Sequence, residues 1–386
     1  MPTIKRRFPR GALILGGLLL ALVLLVPITS LISLTRLPME QNPMAKILPM
    51  PWAAQGNELP IIEQLQPNSV NEMQATLIHG GIHLENIYDL SLKNKTFSAD
   101  GRFWLEWPEA VQKELEKQSL QPIQLIDFVN QVTEWEGRLE ADNAQATQRG
   151  NKWFQSFNFS MQFNIHQLNL SRYPFNNLNL PITLAINPIH AGLMQRQILL
   201  LPARTQQGII GEYANLDGYQ LQSAQINPEL RTYRTDYGLK QTIKASQLNI
   251  NLKYSSSFWP AFIALLLPLI IILLIVLISP YLESSLGDIR IAVPSTALLT
   301  LVFLQQGYVA NLPPSPYLTY LDRLYAVSYL ICVSLFTLFA WSSNVFERTP
   351  AEQREKIVKR LDTFDRYFQL GAISLLFVIS IEAWLH

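Results

Sequence analysis

A chain of 386 residues is long enough for two domains. Hydrophobic residues make up 49% and charged residues only 15%, against roughly 25% charge in soluble domains. A net charge of +1 gives no reason to expect a nucleic-acid partner, and a single cysteine, Cys332, rules out an intrachain disulfide.

The charge deficit sits in five apolar runs, each near the roughly 17–25 residues that cross a bilayer. The first, 11–34, follows Lys5, Arg6, Arg7 and Arg10 and is broken at Pro27. A basic head before apolar residues 13–26 fits a secretory signal, although Ile28-Thr29-Ser30 lacks the A-x-A cleavage pattern; a retained anchor fits equally. Residues 1–35 are therefore a signal peptide or a membrane anchor, and both place the next segment outside. Residues 36–69 hold Pro38, Pro43, Pro49, Pro51, Pro60 and Pro67 without periodicity and read as a Pro-rich linker.

From residue 70 to 257 strand signals recur at 73–79, 82–88, 97–107, 157–165, 178–186, 195–201, 219–226 and 246–254, with a polar helical stretch at 109–119. Several alternate with period two, as in Leu248-Asn249-Ile250-Asn251-Leu252-Lys253, the pattern of half-buried strands in an antiparallel sandwich. The remaining apolar runs predict helices at about 258–280, 287–310, 320–342 and 367–385, joined by a loop at 343–366. That loop carries Arg348, Arg354, Lys356, Lys359, Arg360 and Arg366 and is expected to be cytoplasmic, whereas 309–316 carries no basic residue. Counting spans from either end puts the β-rich domain and the C-terminus outside. The fold class is a membrane protein with an extracellular antiparallel β-sandwich followed by a four-helix transmembrane bundle, preceded by the N-terminal signal or anchor helix.

Along the second of these helices, steps of four and three put Asp288, Ala292, Thr296, Leu299, Phe303, Gln306 and Ala310 on one face. Val293, Ala297, Leu301 and Leu304 fall on other faces. A charge, a hydroxyl, large apolar groups and an amide in one column, repeated around an axis, would line a water-filled path with a dry constriction. An ordinary packed helix accounts for the same residues. Pro294 removes a backbone hydrogen bond inside this helix, and the bulk of Phe303 could close the path. Arg290 stands about 200° from Asp288 and is expected to point away from that face. The histidines 79, 83, 166, 190 and 386 have no metal-ligand spacing, because Gly80-Gly81 breaks any helix that would align His79 with His83. No catalytic constellation is present, so no enzyme and no cofactor is expected. Asn94-Lys95-Thr96, Asn158-Phe159-Ser160 and Asn169-Leu170-Ser171 match the glycosylation triplet, a pattern that also arises by chance.

Three stretches resemble the pentameric ligand-gated ion channels, the Cys-loop receptor superfamily, and its bacterial members in particular. Ile87-Tyr88-Asp89-Leu90 leading to Asn94-Lys95-Thr96-Phe97-Ser98-Ala99-Asp100-Gly101 and Trp107 is similar to the first hairpin of the outer domain. Tyr173-Pro174-Phe175-Asn176 resembles the aromatic-Pro-Phe-Asp signature loop, with Asn176 in place of the Asp and without the flanking cysteines. Asn311-Leu312-Pro313-Pro314-Ser315-Pro316-Tyr317-Leu318-Thr319-Tyr320 resembles the connection between the second and third channel helices, and Phe128-Val129-Asn130 the first binding-loop region.

The resemblance implies a homopentamer in the plasma (inner) membrane, conducting inorganic ions through a pore lined by the second helix. It favours the pore reading of the stripe from Asp288 to Ala310, and the Asp288 ring favours cations. It implies an interfacial agonist site, for which Trp104, Trp135, Tyr213, Tyr233 and Tyr237 are candidates. A cationic amine over aromatic faces suits such a site, and Glu106, Glu134, Glu136 and Asp236 offer proton gating instead. Asp89, Lys93, Asn94, Lys95, Tyr173, Pro174, Phe175, Asn176, Lys253, Pro313 and Pro314 would carry coupling, with Lys253 relying on Asp89, Asp322 or carbonyl oxygens. A non-conducting receptor of the same fold, and a membrane enzyme or transporter component, are the alternatives.

Overall fold

Side chains along the second strand show how the sequence builds its sheets. Ile78, Gly80, Ile82 and Leu84 alternate inward, a bulge follows at Glu85, and Ile87 then takes over the inward face. One extra residue in a strand reverses which parity faces the core, so the bulge reconciles two apolar runs of opposite phase. The two strand signals at 73–79 and 82–88 thus become one long strand, β2. Gly81 fits within it because a side chain there would meet the Trp104 ring at 2.2 Å.

The computed structural model describes residues 61–65, 75–132, 137–188, 197–203, 208–233 and 243–385. The expected N-terminal signal or anchor and most of the expected linker lie outside these residues. One sheet has the order β1 (Ile61–Gln64), β11 (Tyr219–Tyr233), β12 (Ile243–Ser256), β8 (Asn177–Ile186) and β4 (Ile126–Phe128). The other runs β10 (Ile210–Tyr213), β2 (Thr76–Ser91), β3 (Thr96–Pro108), β7 (Lys152–Asn164) and β5 (Arg138–Ala141). In addition β6 (Thr147–Arg149) pairs with β7, and β9 (Ile198–Pro202) with β2. One apolar core takes residues from both sheets, among them Ile82, Phe103, Phe157, Phe163, Ile182 and Ile250.

Two features depart from the expected antiparallel sandwich. β9 and β10 both join β2 in parallel, so that sheet is mixed. Within the expected linker, Ile61–Gln64 forms β1, antiparallel to β11, and Leu65 packs near Leu230 in a small satellite core. The expected polar helix is α1, Glu109–Gln118, which buries Val111 and Leu115.

Four helices long and apolar enough to cross a membrane follow: α2 (Phe258–Tyr281), α3 (Gly287–Val309), α4 (Tyr320–Glu347) and α5 (Arg354–Leu385). α2 widens into a π turn at Phe262–Leu266 just before Pro268, which cannot donate to the helical ladder. Thr319 caps α4: its hydroxyl accepts from the Asp322 amide, and the Asp322 carboxylate accepts from the Thr319 amide. The segment 343–366, expected as a loop, is mostly helical. α4 runs on to Glu347, and α5 already begins at Arg354. Glu355 and Lys359, one turn apart, form an ion pair on an exposed face of α5, while Leu361 and Asp365 turn inward.

Candidate pore face and domain junction

α3 packs one side against the other helices and leaves a broad arc exposed, which includes Ile289, Val302 and Val309 beside the expected stripe. Arg290, Pro294, Ala297, Leu301 and Tyr308 are buried against the other helices. Asp288, Ala292, Thr296, Leu299, Phe303, Gln306 and Ala310 are all exposed. Leu299 is 58% and Phe303 68% exposed, high for large apolar groups on a helix whose other side is packed. Of the residues expected off this face, Ala297 and Leu301 are buried, and Val293 and Leu304 half-buried. Pro294 stays within a continuous helix, and the Ser295 hydroxyl donates back to the Ile291 and Ala292 carbonyls beside it.

The base of α3 holds a polar cluster in which all four helices or their flanks take part. The Arg290 guanidinium pairs with the Asp365 carboxylate of α5, donates to Ser284 Oγ at 2.7 Å and lies 4.3 Å from the Phe339 ring of α4. Ser284, in the turn after α2, donates to Asp362 of α5 at 2.5 Å. Side-chain exposure is 1% for Arg290 and 0% for Asp365, so the pair is withdrawn from solvent. Sequence spacing placed Arg290 away from Asp288 but held no signal for a partner 75 residues later.

At the other end of the helices the β-rich domain rests on them through the loop before β8. Tyr173 stacks on Tyr308 of α3 with centroids 6.2 Å apart. Phe175 stacks on Phe258 at 5.0 Å and meets Trp384 at 5.7 Å and Tyr320 at 6.4 Å. The Tyr320 amide donates to the Ser171 carbonyl at 2.7 Å, and the Leu170 amide to the Tyr317 hydroxyl at 2.9 Å. Pro174 and Pro313 are buried, and Pro314 is exposed. Burial pushes the Tyr173 hydroxyl above its ordinary range, and it pushes Tyr219, beside Asn176, up to about 12. Asn176 itself is 1% exposed, and neither of its amide atoms has a partner of good hydrogen-bonding geometry among the described residues.

Lys253 lies near the end of β12, on its outer side. Its side chain is exposed, opposite Asn179 and Ser223 in the ladder, with no carboxylate within 4 Å among the described residues. Both Asp322 oxygens are already engaged, one by Thr319 and the other by the Tyr308 hydroxyl. Lys93, Asn94 and Lys95 form an exposed turn, in which Lys95 has φ 56°.

An open cleft of about 950 Å³ runs between β2, the stretch from Tyr213 to Tyr219, and Asn311 of the α3–α4 connection. It brings together Asp89 and Lys93, expected for coupling, with Tyr213, expected for agonist binding. Asp100 and Asp217 add carboxylates, so the cleft can attract a cation. The other aromatic candidates are not gathered with Tyr213. Trp104 is half-buried on β3 with its ring over Gly81, and Tyr233 ends β11 in the other sheet. Trp135 and Tyr237 lie outside the described residues, as do Glu134, Glu136 and Asp236. Phe128 and Asn130, read as a binding-loop region, serve the core. Phe128 packs against Phe103, Phe159 and Phe163, and the Asn130 amide bridges Asn164, Pro181 and Thr183.

No model of a known protein family matches the chain, and neither does any curated protein. What stands is a β-rich domain followed by four apolar helices, an architecture compatible with a Cys-loop-like fold.

Proposed function

We propose that the chain is one subunit of a homopentameric, cation-selective ion channel of the plasma membrane, gated by an extracellular ligand or by protons. The observation that carries this reading is the exposed face of α3. Facing lipid, Thr296 and Gln306 would leave a hydroxyl and an amide against hydrocarbon, with Asp288, in the first turn of α3, at the membrane edge. Turned toward a shared axis, the same face becomes a wall with a carboxylate at one end and a dry ring at Leu299 and Phe303. The fivefold number comes from the resemblance of the 311–320 and 173–176 motifs. The contacts from Tyr173 and Phe175 to α2, α3, α4 and α5 support a direct mechanical route from the β-rich domain to the pore.

One observation favours a second reading. Five copies of a Phe303 that is 68% exposed would crowd one level of the axis, which suits a non-conducting receptor of the same fold. Cysteine substitution separates the two. In a Cys332→Ser background, water-soluble thiol reagents should block current through cysteines placed at 292, 296 and 299. Cysteines at 297 and 301 should be inert. Equal labelling on both faces, or labelling with no current in any variant, would contradict the channel.

A further inference from the structure

The polar cluster at the base of α3 has a role that packing does not explain. Arg290 is only two residues from Asp288, about 3 Å along the helix axis, so both charges sit at nearly the same depth. Asp288 is exposed on the stripe, and Arg290 is turned inward onto Asp365. The grip is one-sided: Arg290 Nε and Asp365 Oδ1 have no partner, so the pair is held through a single guanidinium nitrogen and not a bidentate fork. Ser284 and the Phe339 ring complete the cage.

We propose that Asp365 is a selectivity-determining positioning residue, which neutralises Arg290 and holds it off the pore mouth so that the Asp288 ring alone sets the field there. The inference rests on the channel reading of α3. Without the Asp365 carboxylate, Arg290 loses its direct counter-charge and keeps only the Ser284 hydroxyl with Asp362 beyond it. Its long side chain reaches for the nearest water, which at the fourth residue of α3 is the mouth. Five guanidinium groups would then offset five carboxylates at the same level. Ser284 and Asp362 are the other polar groups facing this site from the α2–α3 turn and from α5. Asp362 stands one hydroxyl further out, linked to Arg290 only through Ser284, so it acts at longer range than Asp365.

The test is the reversal potential of the purified protein in a sodium chloride gradient, for wild type, Asp365→Asn, and Asp365→Asn combined with Arg290→Gln. Five added charges within about a Debye length of the permeating ion change the cation-to-chloride permeability ratio by roughly tenfold. Asp365→Asn should lose that much selectivity, and adding Arg290→Gln should restore it to near wild type. A purely structural role would lower expression or current without moving the reversal potential. If Asp365→Asn alone does not assemble, it is coexpressed as the minority subunit with wild type. The shift is then smaller, in the same direction, and abolished by Arg290→Gln. Unchanged reversal potentials in conducting Asp365→Asn channels overturn the inference and leave the channel reading intact. An assembled wild type that never conducts overturns both.

Discussion

Phe175 is the side chain on which most of the domain junction turns, and its truncation tests that geometry. Its ring stacks on Phe258 at 5.0 Å with a 17° interplanar angle, meets Trp384 edge-on at 5.7 Å and 66°, and contacts Tyr320 at 6.4 Å and 57°. One half-buried ring from the β-rich domain therefore grips α2, α4 and α5. Aromatic pairs contribute about 0.5–1.5 kcal/mol each, so three of them sum to about 1.5–4.5 kcal/mol. Full burial of a phenylalanine would put the loss on truncation near 3–5 kcal/mol, and half-burial near 2 kcal/mol, which agrees with that range. Phe175→Ala should therefore lower the thermal midpoint of the solubilised protein. Trp384 emission should shift to the red at temperatures where wild type is intact. Val129→Ala, on a side chain 45% exposed, serves as the control and should do neither. If the contact is made in only one gating state, about 2 kcal/mol in each of five subunits exceeds the roughly 5.5 kcal/mol that swings a two-state equilibrium from 1:99 to 99:1. An unchanged midpoint together with unchanged emission in Phe175→Ala would refute the docking of this loop on the helices.

Three further outcomes are expected. Leu299→Thr should wet the dry ring and give standing leak or activation at lower agonist; an unaltered activation curve in a well-expressed variant places the gate elsewhere. Asn176→Asp puts a carboxylate in a site that is 1% exposed and has no cation partner among the described residues, so its folded pKa should rise above about 3.9. A group whose pKa is raised on folding destabilises as pH climbs through that value. A two-unit rise costs roughly 3 kcal/mol at neutral pH and is recovered below pH 4, and a pH-independent melting difference would contradict this. Tyr254, buried and donating to the Ala214 carbonyl at 3.0 Å, has its hydroxyl pushed up to about 12. Its stabilisation is complete below pH 10 and lost as pH rises toward 12, so Tyr254→Phe should blunt alkaline unfolding in that window while losing about 1 kcal/mol at pH 7.

Local patterns carried most of the fold. The period-two alternation over 248–253 reappears as β12, with Leu248, Ile250 and Leu252 buried, because a strand with one covered face must alternate. The apolar runs become helices because nothing else satisfies the backbone in lipid. The stripe from Asp288 to Ala310 was legible for the same reason: 3.6 residues per turn fixes which positions share a face. What stayed hidden depends on partners distant in sequence. Nothing near Ile61 announces that β11, more than 160 residues later, offers it an edge. The parallel joining of β9 and β10 to β2 is likewise a property of the assembled sheet. The helical start of α5 was masked by its charges, which read as a loop until Leu361 and Asp365 had a surface to pack against. Lys253 is exposed on β12 whereas Asn176 is buried beside Tyr219, a difference in side-chain environment that the linear motif does not encode.

Current through the purified wild-type protein in a planar bilayer, under a salt gradient and across a series of pH values and amines, tests the central claim most directly. The account predicts discrete unitary currents that appear with acid or with one of the amines and reverse near the cation equilibrium potential. A correctly assembled pentamer that stays silent under every condition, or currents that reverse at the chloride potential, would contradict it.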